Sequence, residues 1–153
     1  MQTDFLDYHP EHGAFDVAIV MGQSFGYYDA STNRSALECL GKAVRTGGRI
    51  ILDLWNSEFF HANQGERTLR TTRGTITETK CVRDDRLFVH LNYPDGGEED
   101  FEWQLFTPPL MRQLAQSVGF KLLASCSNFD QNRPPDPTNP RIQFVLERPI
   151  GKL

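Results

Sequence analysis

Two short stretches hold the side chains best suited to gripping a ligand: Met-Gly-Gln-Ser-Phe-Gly-Tyr-Tyr-Asp at 21–29 and Asp-Leu-Trp-Asn at 53–56. Gly22 and Gly26 let the backbone come close to a bound molecule. Ser24 and Asn56 offer directional polar contacts, and Phe25, Tyr27, Tyr28 and Trp55 offer surfaces for a flat ring or a cation. The same aromatics would equally well cover a sheet edge, and their spacing leaves both readings open. Elsewhere the chemistry is thinner. His9-Pro10-Glu11-His12 brings two imidazoles near each other, but Pro10 breaks any helix that would align them, so a solvated loop is expected and no metal site. Asp84-Asp85 and Glu98-Glu99-Asp100 read as turn charges and do not match a calcium loop. The chain contains no Gly-x-Ser-x-Gly, no Gly-x-x-x-x-Gly-Lys and no Gly-x-Gly-x-x-Gly.

Both ligand-suited stretches follow apolar runs. Phe15 to Met21 reads as a strand, and so does "RIILDLW" at 49–55, whose unbroken apolar character suits a strand covered on both faces. Between them "STNRSALECLGKAVRTGG" reads as a helix, with Ser31 or Thr32 as N-cap and Ala36, Leu37, Leu40, Ala43 and Val44 on one face. Lys42 and Arg45 are expected in its last turn and Gly47 at its left-handed stop. Strand, helix and strand within so short a span form a right-handed crossover, which makes the two strands parallel neighbours. Ligands of open α/β sheets sit beyond the carboxyl ends of such strands, where both stretches lie.

The middle of the chain, about 65–106, changes to Thr, Val, Phe and Tyr with turn signals at Arg83-Asp84-Asp85 and Pro94-Asp95-Gly96-Gly97. Three or four antiparallel strands are expected there, with one face wet. A second helix follows in "TPPLMRQLAQSVGF", capped by Thr107 and ended by Gly119. A strand "KLLASCS", a stiff proline-rich loop and a last strand "IQFVLERP" complete the chain. The 153 residues fit one domain. The formal net charge of −4 gives no basic face for a nucleic acid, and no apolar run approaches the ~18 residues of a membrane span. Cys39, Cys81 and Cys126 are odd in number and widely spaced, which predicts buried free thiols and a reducing, cytoplasmic setting.

These segments, taken in order, resemble the class I S-adenosylmethionine-dependent methyltransferases of the small-molecule type with an inserted antiparallel cap. "TDFLDY" resembles the segment after that family's third strand, which would put Asp4 at the adenine amino group and Phe5 beside the ring. "FDVAIVMGQSFGYYD" is similar to the fourth strand and its substrate-side loop. "LGKAVRTGGRIILDLWN" resembles the approach to the fifth strand, with Thr46 where proline is usual. "FTPPLMRQLAQSVGF" is similar to the helix before the sixth strand, and "NPRIQFVLERP" to the antiparallel seventh. The resemblance implies an α/β fold: a partial Rossmann-like sheet of the last four strands, the final one antiparallel, plus the cap at about 65–106. It also implies a cofactor site in which Asp4, Phe5, Met21 and Gly22 face S-adenosylmethionine. Ser24, Tyr27, Tyr28, Trp55 and Asn56 would then face a small-molecule methyl acceptor, with Tyr28 orienting it and no general base required.

The chain also departs from the family pattern. The glycine-rich first loop and the acidic residue ending the second strand are absent, and both would lie before Met1. The expectation is therefore a fragment of a methyltransferase domain that binds cofactor weakly or not at all and is inactive in isolation. Gln104-Leu105-Phe106-Thr107 stands where relatives often read Arg-x-Tyr-Thr, and Leu110 where an acidic residue usually completes the capping box. Without the family's first strand, Phe15 to Met21 becomes an unblunted sheet edge, for which a homodimer through strand 15–21, a swap or aggregation is expected. Two other readings stay open: a non-catalytic half-domain acting through self-association or partner binding, and a piece of a dehydrogenase-like nucleotide-binding fold. An antiparallel last strand inserted between its neighbours would separate the first reading from the dehydrogenase.

Overall fold

The computed structural model describes residues 7–151. The described residues build two four-stranded sheets and three helices. The first sheet is mixed. Strand β1 (Phe15–Val20) leads through the 21–29 loop into helix α1 (Ala30–Ala43), which returns the chain to β2 (Val44–Trp55), parallel to β1. The strand β8 (Arg141–Glu147) lies antiparallel between β2 and β7 (Lys121–Cys126), so the order is β1-β2-β8-β7. The expected parallel pair and the inserted antiparallel final strand are both present.

Helix α3 (Pro108–Ser117) and α1 pack on the same face of this sheet. Val20, Ile50, Leu52, Leu54, Ile142, Phe144 and Leu146 point into a core shared with Leu37 of α1 and Met111 and Ala115 of α3. Alternation sends the next residues of each strand the other way. Ile51, Leu123 and Val145 line an open cleft there, and Val17 and Ile19 of β1 stand 44% and 62% exposed. Among the described residues, no helix covers that second face.

The second sheet is an antiparallel meander, β3 (Gly65–Thr71), β4 (Gly74–Arg83), β5 (Arg86–Asn92) and β6 (Glu98–Gln104). A short helix, α2 (Ser57–Ala62), links it to the end of β2 and packs on β4. No helix is long and apolar enough to cross a membrane among the described residues. Cys39, Cys81 and Cys126 are free, but only Cys126 is buried; the other two are partly exposed.

Local chemistry corrects the sequence reading at both ends of α1. The N-cap is Asp29, two residues before the expected Ser31 and three before Thr32. Its backbone is extended and its carboxylate accepts from the Thr32 amide at 2.8 Å and the Ser31 hydroxyl at 2.7 Å. Those bonds, led by the Thr32 backbone amide, lower its pKa to about 2. At the other end, Val44 and Arg45 belong to β2 and Gly47 is not the helix stop. The chain turns straight from helix to strand and then bulges, so that Phe15 pairs with Val44 but Val17 with Arg49. Gly48 makes this bulge possible: a Cβ there would stand 2.7 Å from the Asp16 carbonyl oxygen. Helix α2 was not expected, and the apolar run of β2 is open on its second face at Ile51, which lines the cleft, while Asp53 and Trp55 further along are buried or packed there.

Candidate functional site

The carboxyl ends of β1 and β2 lie side by side, and polar bonds tie the loop after β1 to the second sheet. Gln23 is buried and sits at φ 65°, where its carboxamide oxygen accepts from the Trp55 amide and its nitrogen donates to the Phe25 carbonyl at 3.2 Å. Asn33, buried in α1, donates to the Tyr28 carbonyl and to Gln104 Oε1, both at 2.8 Å. Gln104 in turn donates through its backbone to the Gly26 carbonyl at 2.7 Å and through Nε2 to Asp85 at 2.8 Å. Gly26 is required by that contact, since a Cβ would lie 2.9 Å from the Gln104 carbonyl oxygen and its φ is +104°. Gln104 is therefore the clamp between loop, helix and second sheet.

The expected site residues separate into groups. Asp4 and Phe5 lie outside the described residues. Met21 is exposed; Gly22 has φ +64° and nothing within 4 Å of where a Cβ would stand, so open space meets the backbone here. Ser24 folds back, its hydroxyl donating to the Met21 carbonyl at 2.7 Å. Tyr28 is partly exposed, and its carbonyl takes the Asn33 and Arg86 bonds. Tyr27 packs on Trp103, ring centroids 5.2 Å apart. Asn56 is buried and its side chain is fully engaged. It caps α2 by accepting from the Glu58 amide and donates to the carbonyls of Asp136 and Asn139 at 2.8 and 2.9 Å, pinning the proline-rich loop. Its amide is spent on structure.

Trp55 opens onto a cavity of about 400 Å³ between β2, α2 and the second sheet. Phe59 and Phe60 of α2, Phe101 and Trp103 of β6, and Leu87 and Val89 of β5 line it. Phe60 meets Trp55 edge-on at 5.2 Å, while Phe101 stacks on Trp103 at 5.5 Å. On one wall stands a small charged group. Glu78 Oε2 receives Lys80 Nζ at 2.8 Å and is also paired with Arg67. Burial opposes ionisation of this carboxyl, but the bonds from Arg67 and Lys80 outweigh it and hold its pKa below the ordinary value. Behind Trp55, the Arg141 guanidinium lies 4.6 Å from the ring centroid. Arg141 is held by the buried Asp53, whose carboxylate also accepts from Gln143 at 2.7 Å. Sequence reading passed over Phe59, Phe60, Glu78, Lys80, Trp103 and Arg141. The adjacent pair of phenylalanines after Asn56 was a usable signal, because a capping residue followed by two large aromatics marks a short amphipathic helix. Glu78 and Arg141 carry no such signal, since only the sheet pairing makes them neighbours of Trp55.

By sequence, no family model matches the chain and no curated protein does either. Solved structures do match. An S-adenosylmethionine-dependent methyltransferase from Clostridium acetobutylicum superposes with a TM-score of 0.75 at 13% identity, covering 96% of this chain and 63% of its own. The CcbJ methyltransferase of Streptomyces caelestis gives 0.76 at 13% identity, with 97% and 62% covered. An amino pentose methyltransferase from Micromonospora echinaspora, solved with S-adenosylmethionine bound, gives 0.65 at 14% identity, with 95% and 63% covered.

The chain has a class I methyltransferase fold. It spans less than two thirds of the length of each of these structures. The antiparallel β8 between β2 and β7 agrees with that fold, and the dehydrogenase alternative, which expected a parallel end to the sheet, is set aside.

Proposed function

We propose that this chain forms the acceptor-side part of an S-adenosylmethionine-dependent methyltransferase acting on a small molecule. The observation that carries the proposal is the aromatic cavity at the carboxyl end of β2, whose Trp55 is tied through Gln23 to the loop that opens at Gly22. S-adenosylmethionine, when bound, supplies an electrophilic methyl group on a sulfonium. In-line displacement of such a group needs alignment and dryness more than acid–base chemistry. The chain's residues suit that division of labour. The Met21 and Gly22 backbone would flank the methionine part. Trp55, Tyr27 and Trp103 would hold the acceptor, and the second sheet would exclude water. The Gln104–Asn33–Gly26 bonds would fix the distance between the two.

Because the described residues supply only one wall of a cofactor site, binding by the chain alone is expected to be weak. Titration with S-adenosylhomocysteine, followed by amide NMR, is the test. Shifts at Met21, Gly22 and Ser24 that saturate only at high ligand concentration are expected, and Gly22→Val is expected to remove them. No shift at these amides up to the solubility limit overturns the reading.

A second reading, a half-domain that acts by pairing with another chain, is favoured by the exposed apolar residues Val17 and Ile19 on β1, an edge strand of the mixed sheet.

A further inference from the structure

The cavity at Trp55 is rich in aromatic surface and short of free polar groups. Five of its lining side chains are aromatic: Trp55, Phe59 and Phe60 from β2 and α2, Phe101 and Trp103 from β6. The rings of Phe101 and Trp103 lie within 12° of parallel, and such faces pack best against another flat ring. Among the described residues that line the cavity, the polar side-chain groups are already engaged. Glu78 Oε2 accepts from Lys80 Nζ at 2.8 Å and is also paired with Arg67. Lys80 Nζ lies in addition 5.7 Å from the Phe60 ring centroid. Arg67 completes its solvation in water, with 59% of its side chain exposed. The indole nitrogens of Trp55 and Trp103 are buried, out of a ligand's reach. An ionic ligand would leave water and meet no free counter-charge, which is costly. An uncharged ring meets carbon surface and disturbs no ion pair. A cavity of about 150 Å³ in a protein interior is enough for benzene, so the 400 Å³ here has room for two fused rings.

We propose that the cavity takes an uncharged, flat aromatic compound of about two fused rings. The self-contained trio of Arg67, Glu78 and Lys80 turns charged analogues away. The inference deepens the methyltransferase reading by naming the class of acceptor, and it rests on that reading only for what becomes of the ligand. Binding itself requires no cofactor.

The two tryptophans of the chain give two indole N–H signals in a proton–nitrogen NMR spectrum, and both residues belong to the cavity wall. The probes, at about pH 7, are 2-naphthol, 2-naphthoate, 2-naphthylmethylammonium and decahydro-2-naphthol, which share a two-ring skeleton and differ in charge or flatness. 2-Naphthol is expected to shift both indole signals saturably. The saturated alcohol is expected to bind about tenfold more weakly, and the two ions about a hundredfold. Glu78→Gln frees Lys80 and Arg67, and is expected to raise naphthoate affinity about tenfold relative to naphthol. Phe101→Leu keeps an apolar wall but removes a ring, and is expected to shrink the advantage of naphthol over its saturated analogue. Chemical-shift dispersion shows that each variant is folded. Either ion binding the parent as tightly as naphthol, a linear unsaturated response to naphthol, or a folded Glu78→Gln chain that rejects naphthoate as the parent does would each overturn the proposal. Saturable naphthol binding in a chain that shows no S-adenosylhomocysteine shifts at Met21 and Gly22 would remove the methyltransferase reading and leave this one standing. Those shifts without naphthol binding would do the reverse.

Discussion

The two sheets treat their edges in opposite ways. In the antiparallel sheet, the outer strand β3 carries Glu66, Arg67 and Arg70, and the other outer strand β6 carries Glu98, Glu99, Asp100 and Glu102. Charges at this density keep a sheet edge from pairing with another chain. On β1, an edge of the mixed sheet, Asp16 is the one charged residue and Val17 and Ile19 stand in the open. The antiparallel sheet is a finished surface, whereas the mixed sheet buries one face under α1 and α3 and leaves apolar side chains on the other. An edge of this kind invites pairing with another chain.

That contrast makes the largest expected effect one of association. At micromolar concentration the chain should sediment as a dimer or larger species, and Val17→Lys combined with Ile19→Lys should return it to a monomer. The same pair of lysines on the already charged β3, at Thr68 and Leu69, should change nothing. A parent chain that sediments as a monomer at every accessible concentration breaks the comparison.

Much of this architecture was legible from pattern. The 3.6-residue repeat of Ala36, Leu37 and Leu40 and the unbroken run Ile50–Trp55 announced a crossover, and turn residues at 83–85 and 94–97 marked the meander. Local hydrogen bonding was not legible at the ends of α1. Asp29 won the cap because its carboxylate reaches both Ser31 and Thr32, and the helix stopped early because the Gly47–Gly48 bulge let Val44 join the strand at once. At the candidate site, sequence indicated the two loops but not what each side chain faces. Asn56 sits in the second stretch, yet its amide is consumed by the loop carbonyls of Asp136 and Asn139, more than seventy residues away. Trp55 became a cavity wall only when β6 brought Trp103 and Phe101 opposite it, a pairing set by sheet register.

The mixed sheet also contains the more consequential ion pair. Asp53 is buried, and its carboxylate serves Arg141 and Gln143 together. Asp53→Ala leaves a guanidinium and an amide facing an empty acceptor position. Removing one partner of a buried pair costs about 3 kcal/mol or more, to be read as a lower urea midpoint with an unchanged slope. Since Arg141 also lies over Trp55, the native-state tryptophan emission should shift in the same variant. A midpoint within error of the parent's would mean that the mixed sheet does not depend on this network.

The antiparallel sheet offers the exposed counterpart, and the smallest effect. His90 on β5 sits directly opposite Asp100 on β6, with Nδ1 2.8 Å from the carboxylate. The hydrogen bond to Asp100 raises the imidazole pKa above its ordinary 6.5; slight desolvation opposes this, and the charges of Asp100 and Glu98 add to it. A group whose pKa is raised by folding stabilises the fold while it is protonated in both states. The contribution is full below the ordinary value and fades as pH climbs through the raised one. His90→Gln should therefore lower Tm at about pH 5, and the gap to the parent should close by about pH 8. Because the pair is solvent-exposed, added salt should shrink the gap at low pH, whereas the Asp53→Ala deficit should barely respond. A gap that widens as pH rises would reverse the sign and show that the neutral imidazole is the stabilising form.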